Sequence, residues 1–370
     1  MPAHPVIPDQ EELSGSMYTV LRGVCVKKRS SDVLVGLSIC LDIMLITFVC
    51  VEIFRRTVSP TSVSSDPDEW KRQGCDTINR GINSNGNPRI PNWTTPRRSC
   101  NTTFVTQYFN IPSKHTMMEY ASWISNLEGM CLLVFTDSPQ LWRHRDHDHD
   151  VVIIETKLCT EARVLNQTGC FWQEQRALDP EAAIHRTPLV YLAWNLKPYF
   201  VKEGARLNPF DSQWFFWIDV GFMRSSTGGG DKTWTYPALH GDARDLVPDM
   251  SRYAMHFLTV HEFPVEEMSG HFHYSTHQDR IAGNLWGGHA ECVAPWVDLY
   301  YQTLLDYVDR RGWFVGKDQN IMNSLCTENH AHCILVDPRK YLWENPWVGM
   351  WECLLNQREC GVYTLKGIIK

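Results

Sequence analysis

The stretch WFFWIDVGFMR (214–224) sets one carboxylate after a run of apolar side chains, then a glycine and an arginine. A charge at the end of a buried strand is what a phosphate or cation site uses. Asp219 supplies a hard oxygen ligand, Gly221 lets the backbone approach a ligand closely, and Arg224 offers a fork for phosphate. Each has an ordinary reading as well, Asp219 as a turn or cap carboxylate and Arg224 as a surface arginine. A second carboxylate opens KDQNIMNSLC (317–326), where Asp318 either caps a helix or takes the proton of an attacking hydroxyl. Lys197, in AWNLKPYFVKEG, reaches a phosphate or snorkels along its helix. Asp137, in VFTDSP, contacts a ligand or forms the turn before Pro139. GNLWGGHAE (283–291) reads as a glycine-rich turn, with Gly287 and Gly288 admitting a close backbone approach and Trp286 stacking on a sugar face. The plain alternative for that segment is a tight turn beside a core tryptophan.

These residues need elements to position them. TTFVTQYFNI (102–111), MCLLVFTD (130–137), VVIIET (151–156) and WFFWIDV (214–220) read as strands. A helix closed by Gly129 is expected over 117–129, and a long one from Pro188 to Ala205. Continuous apolar strands separated by helices predict an α/β fold, a mostly parallel sheet covered on both faces. Such sheets bind ligands beyond the carboxyl ends of their strands, where Asp137 and Asp219 both fall. A helix leads from GNLWGGHAE to about Arg311, and another spans QNIMNSLC.

The chain has 370 residues, 43% of them hydrophobic, and a net charge of −7. That balance, with no dense basic stripe in the soluble part, argues against a nucleic-acid partner. VLVGLSICLDIMLITFVCVEIF (33–54) is long enough to span a bilayer core, although Asp42 and Glu52 oppose insertion. Arg22, Lys27, Lys28 and Arg29 favour a cytoplasmic N-terminus over Arg55 and Arg56. The expected organisation is a cytoplasmic tail (1–32), a single-pass signal-anchor (33–54), a Ser/Pro/Asn/Gly-rich stem (55–100) and a lumenal domain (101–370). Three N-glycosylation triplets, at Asn92, Asn101 and Asn166, follow the anchor, and so do ten of the thirteen cysteines. Disulfides are expected there without a pairing, and the absence of a CxxC pair argues against structural zinc. The histidine-rich RHRDHDHD (143–150) and HFHYSTH (271–277) read as a solvated loop and a strand without a matching carboxylate or cysteine, and STGGGDKTW (226–234) as a flexible loop able to close over a ligand.

The order VFTD, then WNLKPYFVKEGARLNPFDSQWFFWIDVGFMR, then GNLWGG and GWFVGKDQNIMNSLC resembles the HtrL/YibB-like proteins. That group is similar to glycosyltransferases of the GT-A fold, and the likeness runs from about Thr103 to the C-terminus. It implies a GT-A-like (nucleotide-diphospho-sugar transferase-like) domain with a nucleotide-sugar donor and a glycan or glycoprotein acceptor. It further implies donor contacts from Asp137, Lys197, Asp219, Gly221 and Arg224, acceptor contacts from Trp286, Gly287 and Gly288, and catalysis by Asp318 with Gln319. In GT-A enzymes an Asp-x-Asp motif holds a divalent cation, Mn or Mg, against the donor diphosphate. Asp219 matches the first aspartate, and Gly221 stands at the second. The expectation is a type II protein of the Golgi or endoplasmic reticulum membrane; a GT-A-like glycan-binding or scaffold protein without turnover is the alternative.

Overall fold

A computed structural model describes residues 98–363. Segments 223–242, 268–278, 338–348, 357–360 and 364–370 fall outside that description, as do short breaks at 114, 128, 146–149, 162–164, 166–168, 186, 244–245, 249 and 265–266. The expected tail and anchor, Asn92, Asn166, Arg224, the loop 226–234 and the histidines of 271–277 therefore lie outside the described residues, with most of the stem and part of 143–150. Among the described residues no helix is long and apolar enough to cross a membrane.

Eight strands form one mixed sheet: β1 (Thr102–Tyr108), β2 (Cys131–Thr136), β3 (Val151–Glu155), β4 (Trp214–Ile218), β5 (Met255–Thr259), β6 (Ile281–His289), β7 (Cys333–Asp337) and β8 (Gly361–Tyr363). Their order across the sheet is β3-β2-β1-β4-β6-β5-β7-β8. β1 pairs in parallel with β2 and with β4, β2 with β3, and β5 with β7. β6 runs antiparallel to both β4 and β5, and β8 antiparallel to β7. The first three strands grow away from β1 on one side, and the chain then returns to lay β4 on the other. That reversal opens a crevice at the carboxyl ends of β1 and β4.

Alternate side chains on each strand enter separate cores. Val105, Leu133, Phe215 and Trp217 pack with the helices α4 (Leu189–Asn195), α5 (Lys197–Leu207), α6 (Ala290–Asp306) and α7 (Asp318–Glu328). Phe104, Leu132, Phe216 and Ile218 pack on the opposite face against α1 (Met117–Ser125) and α8 (Gly349–Asn356). Burial on both faces accounts for the continuous apolar runs. Two short helices, α2 (Leu158–Glu161) and α3 (Gly169–Leu178), precede α4. The expected helix from Pro188 to Ala205 is two, because Pro198 has no amide hydrogen to extend the ladder. The junction at Leu196 makes Lys197 the first residue of α5. Likewise α1 stops at Ser125, four residues short of the expected end, and Gly129 serves in the following turn with φ of 72°.

The segment GNLWGGH is not a turn. It is the central antiparallel strand β6, and its glycines are there for space. A Cβ on Gly287 would lie 2.3 Å from the Phe215 carbonyl oxygen and 2.6 Å from Phe216 Cα; one on Gly288 would lie 2.8 Å from the Cys292 and Met255 sulfurs. Disulfides join Cys100 to Cys131 and Cys326 to Cys333, tying β1's entry to β2 and α7 to β7. Cys292 is free and buried.

His256, on β5, is buried to 1% exposure beside Trp214, with Nε2 donating to the Ser251 carbonyl at 2.9 Å. Burial pushes this imidazole down from 6.5 to about 4, against the smaller opposing pull of the Ser251 hydrogen bond. Because the folded value is depressed, the unfolded chain binds the extra proton. Stability is complete above the unfolded value and is lost as pH falls towards 4. The expected loss between about pH 7.5 and pH 5 is ~2 kcal/mol. Urea unfolding at the two pH values checks it: His256→Gln is expected to flatten that part of the slope, and an unchanged slope contradicts the assignment.

Candidate functional site

A cleft of about 310 Å³ opens at the carboxyl ends of β1 and β4. Its floor is Lys197, Trp217 and Asp219, with Val220, Gly221 and Phe222 following from β4 and Asn284 reaching in from β6. One wall is aromatic. Tyr108 at the end of β1, His115 in the next loop, and Tyr120 and Trp123 on α1 all line it. His115 meets Trp123 edge to face at 4.7 Å, Tyr120 meets Trp123 at 5.1 Å, and Tyr108 meets Tyr120 at 5.1 Å. A capping box at Thr116 and Glu119 fixes where α1 begins and so where these rings point. The opposite wall holds Ile184, His185, Val190 and Trp194. Burial, then the nearby Tyr120 and Asp137, push the Tyr108 phenol up to about 12, so it keeps its proton at neutral pH.

Below the cleft lies an ion-paired cluster that joins the two sequence motifs. Lys197 Nζ sits 3.1 Å from Asp219 Oδ1, 3.1 Å from Asp318 Oδ2 and 3.0 Å from the Gly283 carbonyl oxygen. It also lies over the Trp217 ring, 5.6 Å from the centroid. Burial works against the charge on Lys197, but Asp219 and Asp318 outweigh it and hold the ammonium above its ordinary value. Asp318 is pushed up by burial; Lys197 opposes that shift and Asp219 adds to it. The two carboxylates differ in access. The Asp219 side chain is 36% exposed, that of Asp318 only 4%. Asp219 Oδ1 also accepts from Trp217 Nε1 at 2.7 Å, which leaves Oδ2 without a hydrogen-bond partner among the described residues in a side chain that lines the cleft.

The expected site residues therefore separate. Asp219 and Gly221 line the cleft. A Cβ on Gly221 would lie 3.3 Å from the Trp123 ring, so the glycine is what lets this strand end close on the aromatic wall. Lys197 also lines the cleft, but its ammonium is already engaged, hydrogen-bonded to the Gly283 carbonyl and ion-paired with both Asp219 and Asp318. Asp318 opens α7 at its first turn, after Lys317 at the cap position, so neither the N-cap reading nor an open base fits. It lies beneath Lys197, sealed from the cleft. Gln319 donates to the Ile281 carbonyl at 2.7 Å, a tie between α7 and β6. Asp137 accepts from the Asn110 amide at 2.9 Å and from Ser138 Oγ at 2.8 Å, a turn role outside the cleft lining. Trp286 is fully buried, packed 5.4 Å from Trp296 and 5.9 Å from Phe257, while Gly287 and Gly288 lie inside the sheet. The acceptor role expected of those three is corrected: they are core. Asn101 is exposed just before β1. Sequence reasoning missed the aromatic wall, although the spacing of Tyr120 and Trp123 puts both on one helix face.

Among the described residues no group of three or more His, Cys, Asp and Glu side chains gathers to hold a metal ion. The Asp219–Asp318 pair does not fit a divalent cation, because the Lys197 ammonium lies between its oxygens. No family model matches the chain, and no curated protein matches it either. The likeness to HtrL/YibB-like proteins thus rests on the motifs alone.

Replacing Lys197 strands a buried carboxylate, a change that typically costs about 3–5 kcal/mol. Lys197→Met is expected to lose that much by urea unfolding. Lys202→Met, on an exposed face of the same helix, is expected to stay within about 0.5 kcal/mol of wild type. Equal losses would contradict the buried ion-pair assignment.

Proposed function

We propose that the chain is a nucleotide-sugar-dependent glycosyltransferase of the secretory pathway, with a GT-A-like lumenal domain held at the Golgi or endoplasmic reticulum membrane by the anchor at 33–54. One observation carries this reading. Asp219, the residue that matches the first aspartate of the motif, is the one carboxylate lining the cleft among the described residues, at the strand end where α/β sheets bind ligands. The rings of Tyr108, Tyr120 and Trp123 offer flat apolar faces to a base or a pyranose. Transfer joins an acceptor hydroxyl oxygen to the anomeric carbon and breaks the bond to the donor diphosphate, which leaves with that bond's electrons. The hydroxyl proton goes to a base, and Asp219 Oδ2 is the carboxylate oxygen left for it. Arg224 is the proposed partner of the diphosphate.

The burial of Asp318 and the pairing of Lys197 with two carboxylates favour a second reading, a glycan-binding or scaffold protein without turnover, since Asp318 is shut away from a donor or acceptor and the Lys197 charge is already neutralised. Incubating the full chain with a panel of nucleotide sugars and glycan acceptors separates the two. The transferase reading expects turnover that falls by about 10²–10⁴-fold in Asp219→Asn while donor affinity stays within a few-fold. Wild type that neither binds nor turns over any donor, yet retains glycans on an array, hands the site to the second reading.

A further inference from the structure

We propose that Lys197 stands in the place of the divalent cation, so that the cleft binds its ligand without metal. Two independent features of the chain lead there. The first is the lysine itself. Its ammonium is 3.1 Å from an oxygen of each carboxylate and 3.0 Å from the Gly283 carbonyl, so it already neutralises the pair a bridging cation would use. A magnesium ion needs oxygens at about 2.0–2.1 Å and keeps several waters. Here the space between the two carboxylates is filled by Nζ, and Asp318 lies too deep to exchange solvent. Bringing a second cation against a buried ammonium adds repulsion where the dielectric is low.

The second feature is Gly221. A second carboxylate two residues after Asp219 would have to begin at a Cβ only 3.3 Å from two carbons of the Trp123 ring. The aromatic wall thus crowds the space in which that second metal ligand would start, so that the Trp123 ring would have to give by a few tenths of an ångström to admit it. The two features complement each other: the charge of the missing ion is supplied from below by α5, and the room for its second ligand is narrowed from above by α1. Lys197 is then a positioning residue. Together with Trp217 Nε1 it holds Asp219 Oδ1, which fixes the carboxylate at the cleft and leaves Oδ2 as the oxygen not engaged by either.

The metal claim stands on the geometry alone; its extension to a donor diphosphate rests on the transferase reading. Mn²⁺ binding to the full chain, read by electron paramagnetic resonance, tests the first. Wild type and Asp219→Asn are expected to bind Mn²⁺ alike, with no saturable site that depends on Asp219. Lys197→Ala, which vacates the space between the carboxylates, is expected to gain a site at least about tenfold tighter, abolished by adding Asp219→Asn. If Lys197→Ala unfolds alone, Mn²⁺ is expected to raise its melting temperature and leave that of wild type unmoved. A stoichiometric wild-type site lost in Asp219→Asn overturns the proposal, and so does a folded Lys197→Ala that gains no metal. Nucleoside diphosphate affinity measured in EDTA tests the extension: binding unchanged by chelation supports it, and binding restored only by Mn²⁺ overturns it. A chain that binds no nucleotide removes the transferase reading while the Mn²⁺ comparison still decides the role of Lys197.

Discussion

A lysine ammonium shut among aromatic side chains is stable only if every proton it carries has an acceptor and its charge has a partner. Lys197 draws its partners from three separate parts of the chain: ion pairs with Asp219 after β4 and Asp318 on α7, and a hydrogen bond to the Gly283 carbonyl on β6. These parts are distant in sequence; the β4–β6 pairing and the Gln319 bond to β6 bring them near each other, and Lys197 joins them at one point. The ion-paired cluster therefore fixes the carboxyl end of β4 relative to α7, and with it the side of Asp219 that faces the cleft. Asn195 fastens the same region from α4, donating to the Val315 and Gly316 carbonyls at 3.0 and 3.1 Å just before α7.

Getting the helices that close requires a sheet with little on one of its strands. β6 lies between β4 and β5 and brings Gly283 and Gly287 against its neighbours. A Cβ on Gly283 would sit 3.0 Å from Gln319 and 3.3 Å from Asp318 Oδ2. The bare strand thus lets α7 settle onto the sheet, where Gln319 and Asn323 take the carbonyl and amide of Ile281. The same absence of side chains exposes the Gly283 carbonyl to Lys197. Packing and electrostatics here have one cause.

Much of this was legible in the residues. The four strands β1 to β4 announced themselves because both faces are buried, and Asp219 stood out because a charge ends an apolar run. β6 was misread, since three glycines in nine residues carry the signature of a turn, and the backbone clash they avoid exists only once Phe215 and Phe216 lie alongside. Trp286 was misread with it. Lys197 was noticed as a phosphate contact or a snorkelling lysine, and its pairing with two carboxylates was not legible, because one position says nothing of which groups converge on a side chain from elsewhere. Asp318 suffered the same way, its N-terminal helix position being visible and its burial not. The aromatic wall needs β1, α1 and the end of β4 together, so the one local signal, Tyr120 and Trp123 on one face of α1, did not show what they face.

The account depends on Lys197 and Asp318 acting as one unit, and a double-mutant cycle measures that directly. Unfolding free energies of wild type, Lys197→Met, Asp318→Asn and the double variant give the coupling between the two side chains. A buried, directly paired couple is expected to deviate from additivity by about 2–3 kcal/mol, with the double variant less damaged than the sum of the singles. Additivity within about 0.5 kcal/mol would mean that the two groups do not feel each other, and the central ion pair of this structure would be refuted.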